Sequence, residues 1–204
     1  MKVSTVWATP EANALVAFMV SVTNLSNQHN SDTVRKLINN KQCSTFEMVN
    51  ICMDIETTRD IARQILRHKS FSFQEFSQKY DEVSDFEYTA VRIQDKNNPQ
   101  NSIETEDKEL QCWWMGVQHR VRNEAEFMYT AALRKGVAKE VACKLLPEGL
   151  MVSRMYVNGT LGSWLQYLSI CCNEATQKEH RDVALLCKAE IAKAFPSILE
   201  VLND

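Results

Sequence analysis

The chain has 204 residues, 45% of them apolar and 24% charged, with a formal net charge of −3 at pH 7. That length can bury a substantial core, and the balance is that of an ordinary globular protein rather than a disordered or fibrous one. The slight negative charge supplies no global basic field, which argues against nucleic acid as a partner, so any bound anion needs a local cluster. The seven cysteines, Cys43, Cys52, Cys112, Cys143, Cys171, Cys172 and Cys187, are odd in number and form no C-x-x-C pair. Reduced thiols in a cytoplasmic protein fit this better than a disulfide framework. The four histidines do not fall at ligand spacings from the cysteines, so no metal site is expected.

Residues 2–7 read as a short strand. Thr9-Pro10-Glu11 reads as an N-cap, a first-turn proline and an acidic first turn, opening a helix to about Val22. Its apolar run is too short to cross a bilayer. A polar loop over 24–32 leads to a second helix through Ile38, capped by Ser31 or Asp32. Ser44-x-x-Glu47 has capping-box spacing and opens a short helical turn. Val49, Ile51, Met53 and Ile55 alternate with Asn50, Cys52 and Asp54, the pattern of a half-buried strand. A helix capped by Thr57 or Thr58 then ends at Arg67. The segment 70–80 is a strand or an extended loop, and periodicity leaves both open.

Residues 81–104 are polar and loop-like, centred on QDKNNPQNS. From about 104 to 135 runs a long amphipathic helix whose apolar face holds Leu110, Trp113, Trp114, Val117, Val121, Ala125, Met128 and Leu133. Gly136 is its C′ residue. A shorter helix from Ala138 stops near Pro147, and a strand over 150–157 ends at an Asn158-Gly159 turn. Helices over 161–172 and 176–194 finish the chain, the last stopped by Pro196. The expectation is one α+β domain over 1–204, with a small mixed or antiparallel sheet and long helices.

The chemistry concentrates in residues 64–80, QILRHKSFSFQEFSQKY. Gln64, Arg67, His68 and Lys69 gather amide and cationic donors at one helix end. Ser77, Gln78 and Lys79 add a second donor group, and Glu75 between them can accept from a sugar hydroxyl or a base N–H. Such donors suit a multi-oxygen anion, above all a phosphate. The plain alternative is a helix C-terminus whose cations the macrodipole favours. Phe71, Phe73 and Phe76 either wall a flat ring or simply fill core. Glu47 has the same double reading, as a structural cap or as a site residue. On spacing alone, this is an anion or nucleotide site.

The stretch RHK, seven residues, Ser77 resembles the signature of the flavin-dependent thymidylate synthases (the ThyX family), R-H-R, seven residues, Ser. STFEMVNICMDIETTRDIAR ahead of it, LLP at 145–147, NGTLGSWLQYL and TQKEH are similar to further segments of that family. The resemblance covers most of the chain. It implies an α+β subunit in a homotetramer with sites where subunits meet, FAD, and methylation of dUMP at C5. The carbon would come from methylenetetrahydrofolate and reducing power from NADPH. It also implies site roles. Arg67, His68 and Lys69 match the flavin-contacting RHR residues, with Arg67 also reaching the nucleotide, and Gln64 matches a nucleotide contact. Glu75, Ser77, Gln78 and Lys79 match the segment that binds dUMP from a neighbouring subunit. Ser44, Glu47, Thr160 and Gln166 match positions near the flavin.

The chain departs from that pattern at several points. Lys69 and Lys79 stand where the family has arginines, keeping charge but losing bidentate geometry. Cys143, Gly162 and Cys171 stand where the family usually has arginines for the nucleotide, the flavin and the pyrimidine ring. A charged hydrogen bond contributes about 1.5–3 kcal/mol, so losing one weakens nucleotide binding about tenfold or more. The expectation is therefore a thymidylate synthase with an altered half-site. Two alternatives stand beside it: C5 modification of another pyrimidine nucleotide such as dCMP, and a non-catalytic paralogue completed by an intact partner. The Cys171-Cys172 pair invites a covalent role, against the plain reading of buried, inert helix cysteines. A compact, diverged copy of this kind would suit a virus or phage.

Overall fold

Four antiparallel strands carry the site, in the order β1-β2-β6-β3, with β1 Lys2–Ala8, β2 Asn50–Thr58, β3 Ser72–Glu75 and β6 Val152–Thr160. The structure is a computed structural model and describes residues 1–23, 43–76, 85–98 and 101–196. The helix expected up to Ile38, and Ser77, Gln78 and Lys79, lie outside the described residues. Strand β2 keeps the expected alternation, with Ile51, Met53 and Ile55 fully buried and Asn50, Asp54 and Glu56 only partly so; Cys52, on the more exposed face, is buried as well. Asp54 points out of that strand and is held by Arg154 of β6, whose Nε lies 2.9 Å from Oδ1.

Helix α1 is Ala12–Thr23. It starts later than the sequence suggests because Thr9 is taken by the sheet: its Oγ1 accepts from the Asn50 N–H at 2.9 Å, and Glu11 turns the chain with φ 48°. Cys43–Met48 forms the turn expected from Ser44 and Glu47, as a 3-10 helix. Helix α2, Arg59–Ile65, follows β2 directly; Thr58 is its N-cap position but gives no side-chain bond. It stops at Ile65 with a turn through Leu66, leaving Arg67–Lys69 beyond the helix end. Within the described part of segment 70–80, Ser72–Glu75 is a strand.

The polar region before residue 104 is not all loop. Strands β4 Arg92–Gln94 and β5 Ser102–Glu104 pair as a hairpin. Asp95 organises its turn by accepting from the N–H groups of Asn97 and Asn98 at 2.8 and 3.2 Å. Helix α3, Lys108–Arg134, is capped by Asp107, whose Oδ1 accepts from the Leu110 N–H at 3.0 Å. Gly136 at φ 82° ends it as expected. Helix α4, Lys139–Ala142, runs into a 3-10 turn at Cys143–Leu145.

Asn158 and Gly159 form no turn. Strand β6 runs through them to Thr160, with Gly159 opposite Ile51. The glycine serves a close approach: a Cβ there would lie 2.7 Å from Cε1 of Phe71. Helices α5, Leu161–Cys171, and α6, Lys178–Ala194, then cover the sheet. The main core joins Phe46, Ile51, Met53, Ile55, Ile65, Phe71, Met155, Val157, Trp164, Tyr167, Ile191 and Phe195. Trp164 is locked in it by its Nε1–H, which donates to the Ile51 carbonyl at 3.1 Å. A smaller cluster of Tyr129, Ala142, Leu146 and Met151 ties α3 and α4 to the start of β6. Among the described residues, no helix is long and apolar enough to cross a membrane.

Candidate active site

The turn after α2 positions the site because Ile61, Ala62 and Ile65 are fully buried and pin the helix to the core. The following residues then have fixed fates. Arg67 and Lys69 are exposed, while the His68 ring turns inward. It meets Tyr167 edge-on at 4.9 Å between centroids, and its Nε2 lies 3.5 Å from the Cys171 sulfur. Phe71 packs on Trp164 at 4.4 Å and on Tyr167 at 5.7 Å, so the aromatic residues of this stretch serve mainly as core. Phe76 differs: it is exposed and stacks with Tyr156 and the Arg154 guanidinium.

Behind His68 runs a chain of polar side chains. Gln64 Nε2 donates to Gln177 Oε1 at 2.8 Å, so Gln64 Oε1 is the acceptor for His180 Nδ1–H at 3.1 Å. His180 Nε2 then carries the lone pair and accepts from the Tyr167 hydroxyl at 3.1 Å. On the other side, Gln177 Nε2 donates to Glu179 Oε2 at 3.1 Å, and Glu179 Oε1 meets Arg92 of β4 at 2.6 Å. Glu179 and His180 are both buried. A buried polar group without a partner is costly, and this chain supplies the partners.

The electrostatics follow from that burial. It lowers His68, and it pushes His180 down to about 4 with help from the His68 charge. It raises Tyr167, with nearby cysteines adding to the effect, and lifts Cys171 to about 11 with help from Cys172. Burial alone would raise Glu179, but its bonds to Arg92, its own backbone amide and Gln177, together with the Arg92 charge, hold it below the usual carboxylate range. At neutral pH the site therefore holds neutral imidazoles and a protonated thiol, with one proton shared between the Cys171 sulfur and His68 Nε2. A buried, protonated thiol is a poor nucleophile.

A second group lies where β6 meets α5. Thr160 caps α5, accepting from the Ser163 N–H at 3.1 Å, and donates its own hydroxyl proton to Glu47 Oε2 at 2.7 Å. Glu47 thus closes on Thr160 instead of forming a capping box with Ser44, which is exposed. Gly162 makes room for it: a Cβ there would run into Glu47 Oε1, with Cδ at 3.1 Å. Gln166 is exposed on α5.

The structure therefore brings Gln64, His68 and Cys171 together, and separately joins Glu47, Thr160 and Gly162. Glu75 lies apart on β3, accepting from Ser153 Oγ at 2.8 Å. Cys143 packs against the smaller cluster around Tyr129. Sequence reasoning assigned no role to Tyr167, Gln177, Glu179, His180 or Arg92. The available signal was TQKEH, which puts Gln177, Glu179 and His180 in one short polar run on an otherwise core-packing helix.

Comparison with known proteins gives these geometries a family. The model of the family described as thymidylate synthase complementing protein matches residues 4–197. The chain is 40% identical over 194 residues to the flavin-dependent thymidylate synthase of Synechocystis sp., covering 95% of this chain and 90% of that one. It is 38% identical over 197 residues to a probable flavin-dependent thymidylate synthase of Paramecium bursaria Chlorella virus 1, covering 94% and 91%. In fold it is similar to the UMP/dUMP methylase PolB of Streptomyces cacaoi. The TM-score is 0.87 at 20% identity to the form bound with 5-Br UMP, over 99% of this chain and 93% of that one. For the form bound with 5-Br dUMP the TM-score is 0.85. With the signature around His68 and the Thr160 and TQKEH segments all in place within the matched span, the chain belongs to the flavin-dependent thymidylate synthase family.

Proposed function

We propose that this protein methylates dUMP at C5 to form dTMP, with FAD as its flavin, methylenetetrahydrofolate as carbon donor and NADPH as reductant, acting as a cytoplasmic homotetramer. The observation that carries the reading is the turn after α2, where exposed Arg67 and Lys69 flank a His68 ring fixed by Tyr167 and Cys171. The donor set fits a flavin. Arg67 and Lys69 are cations turned to solvent, Thr160 and Glu47 form a polar rim, and Gln166 offers an exposed amide. Such groups suit a ligand with an anionic tail and a polar ring edge. When bound, FAD supplies the hydride chemistry.

The residues themselves bind and orient. Arg67 and Lys69 hold anionic oxygens as charge-assisted donors. Gln64 has its amide orientation fixed by Gln177 and His180, so any nucleotide contact through it is preorganised. Burial holds Cys171 protonated near neutrality, which argues against it as the nucleophile of a cysteine adduct. The oligomer reading draws on α3, where Trp113, Val121 and Met128 are exposed along the predicted apolar face and Phe127 is exposed beside it, Trp113 at 59% and Phe127 at 64%. An apolar face of that length needs a partner, and a second copy is the partner the family resemblance implies.

The test is direct. Purified protein should be yellow, and should release tritium from dUMP labelled at C5 when given methylenetetrahydrofolate and NADPH. A protein that stays colourless in excess FAD refutes the reading. One observation favours a second substrate: the neutral thiol of Cys171 stands where the resemblance implies an arginine for the pyrimidine ring. Cytosine reverses the donor and acceptor pattern at N3 and C4, so that arginine becomes dispensable for dCMP. Protection against heat by dCMP but not dUMP would shift the assignment to that nucleotide.

A further inference from the structure

We propose that His68, Cys171 and His180 form a binding site for a divalent metal ion of the zinc type. One ring nitrogen of each histidine and the Cys171 sulfur all lie within 4.8 Å of one another. The His68 Nε2 to Cys171 Sγ separation is 3.5 Å. In a tetrahedral zinc site, bonds of about 2.3 Å to sulfur and about 2.0–2.1 Å to nitrogen put these two atoms roughly 3.6 Å apart. The atoms are therefore already spaced as one edge of such a tetrahedron.

The surrounding groups are those that support a metal-bound imidazole. His180 Nδ1–H donates to the Gln64 side-chain carbonyl, which orients the ring and makes Nε2 the lone-pair nitrogen; a metal there displaces the hydrogen bond that Tyr167 now gives it. Gln64 is in turn held by Gln177, and Gln177 binds Glu179, whose carboxylate Arg92 anchors. Two imidazoles and one thiolate select zinc over magnesium or calcium, which prefer oxygen ligands. The fourth position is open to water or to the Tyr167 hydroxyl, which lies 3.1 Å from His180 Nε2. His68 and Cys171 are 103 positions apart, which is why no ligand spacing marks the site in the sequence.

Binding replaces the Cys171 proton by the metal and releases that proton to solvent, with no change of oxidation state. The loaded site carries the two positive charges of the ion less one from the thiolate, leaving a net single positive charge beside position 171. That charge would stand in for an arginine, a consequence resting on the nucleotide reading above; the site itself does not depend on that reading.

Cobalt(II) reports on such a site without any nucleotide or folate. Chelator-treated protein should take up one equivalent of Co²⁺, giving a thiolate-to-cobalt charge-transfer band and tetrahedral d–d bands in the difference spectrum, both removed by Zn²⁺. About one proton should be released per ion. Cys171→Ser should lose the charge-transfer band, and Cys112→Ser, which removes an exposed thiol, should keep it. Thermal melts of the metal-free variants establish that they are folded. Absence of the band in the wild-type protein, its persistence in Cys171→Ser, or its loss in Cys112→Ser overturns the proposal. The wild-type titration decides even if Cys171→Ser does not fold.

Discussion

Gly159→Ala separates a glycine needed for packing from one needed for a turn. A Cβ at 159 would lie 2.7 Å from Phe71 Cε1 and closer still to Cδ1. Phe71 cannot easily withdraw, because it is buried at 7% exposure and in ring contact with Trp164, Tyr167 and Phe73. Overpacking of a well-filled core costs about 1–3 kcal/mol, partly offset by about 0.5–1 kcal/mol because alanine suits a strand interior better than glycine. The expected net loss is about 1–2 kcal/mol, a fall in melting temperature of roughly 2–8 °C for a domain of this size. Gly162→Ala is the internal control. Its Cβ meets only the end of the Glu47 side chain and Phe46 Cβ at 3.7 Å, and Glu47 is exposed and can swing away, losing its bond from Thr160. That should cost less, about 0.5–1 kcal/mol. Circular-dichroism melts of both variants decide the matter. The argument fails if Gly159→Ala melts at or above the wild-type temperature, or if Gly162→Ala is the more damaging change.

Glu179→Gln strands the Arg92 guanidinium, which is only 13% exposed; breaking such a buried pair costs about 3–5 kcal/mol, measured by urea unfolding. Acid should destabilise the protein through His180, whose folded value near 4 lies below the ordinary 6.5. Between those values the unfolded chain binds a proton that the folded one refuses, so stability is full above about pH 6.5 and falls as pH drops toward 4. The loss is on the order of 1–3 kcal/mol, and melts across this window should show a slope that His180→Gln reduces. Phe127→Glu should move the sedimentation profile toward the monomer if the α3 face is a subunit contact; an unchanged oligomer excludes that face.

Much of this fold was legible because its elements carry local signals. The long helix has a 3.6-residue apolar period and a Gly136 stop, and residues 50–58 have the β-branched and apolar content of a strand. Two misreadings have physical causes. Asn-Gly at 158–159 has turn chemistry, but Phe71 needs the missing Cβ, a contact 88 positions distant that no local window contains. The hairpin at 92–104 has strands of only three residues, too short to show a period. The site divided in the same way. The 64–69 cluster announces itself by charge, whereas Tyr167, Glu179 and His180 look like ordinary residues of helices until α5 and α6 pack together. The apolar face of α3 was read correctly as a pattern, but in the single chain much of it faces outward and does not build core.

The polar chain behind His68 has a sense of direction. Tyr167 gives its proton to His180, His180 to Gln64, Gln64 to Gln177, and Gln177 to Glu179, which also receives Arg92. Every donor points toward one carboxylate, which accepts only, so no member can reverse alone without setting two donors or two acceptors face to face. The ionised Glu179 therefore dictates, four hydrogen bonds away, that the Tyr167 oxygen has spent its proton and shows only lone pairs to whatever else approaches it. A carboxylate anchored to a surface hairpin thereby writes the polarity of the innermost hydroxyl, and a neutral amide at position 179 would erase that instruction without touching the pocket.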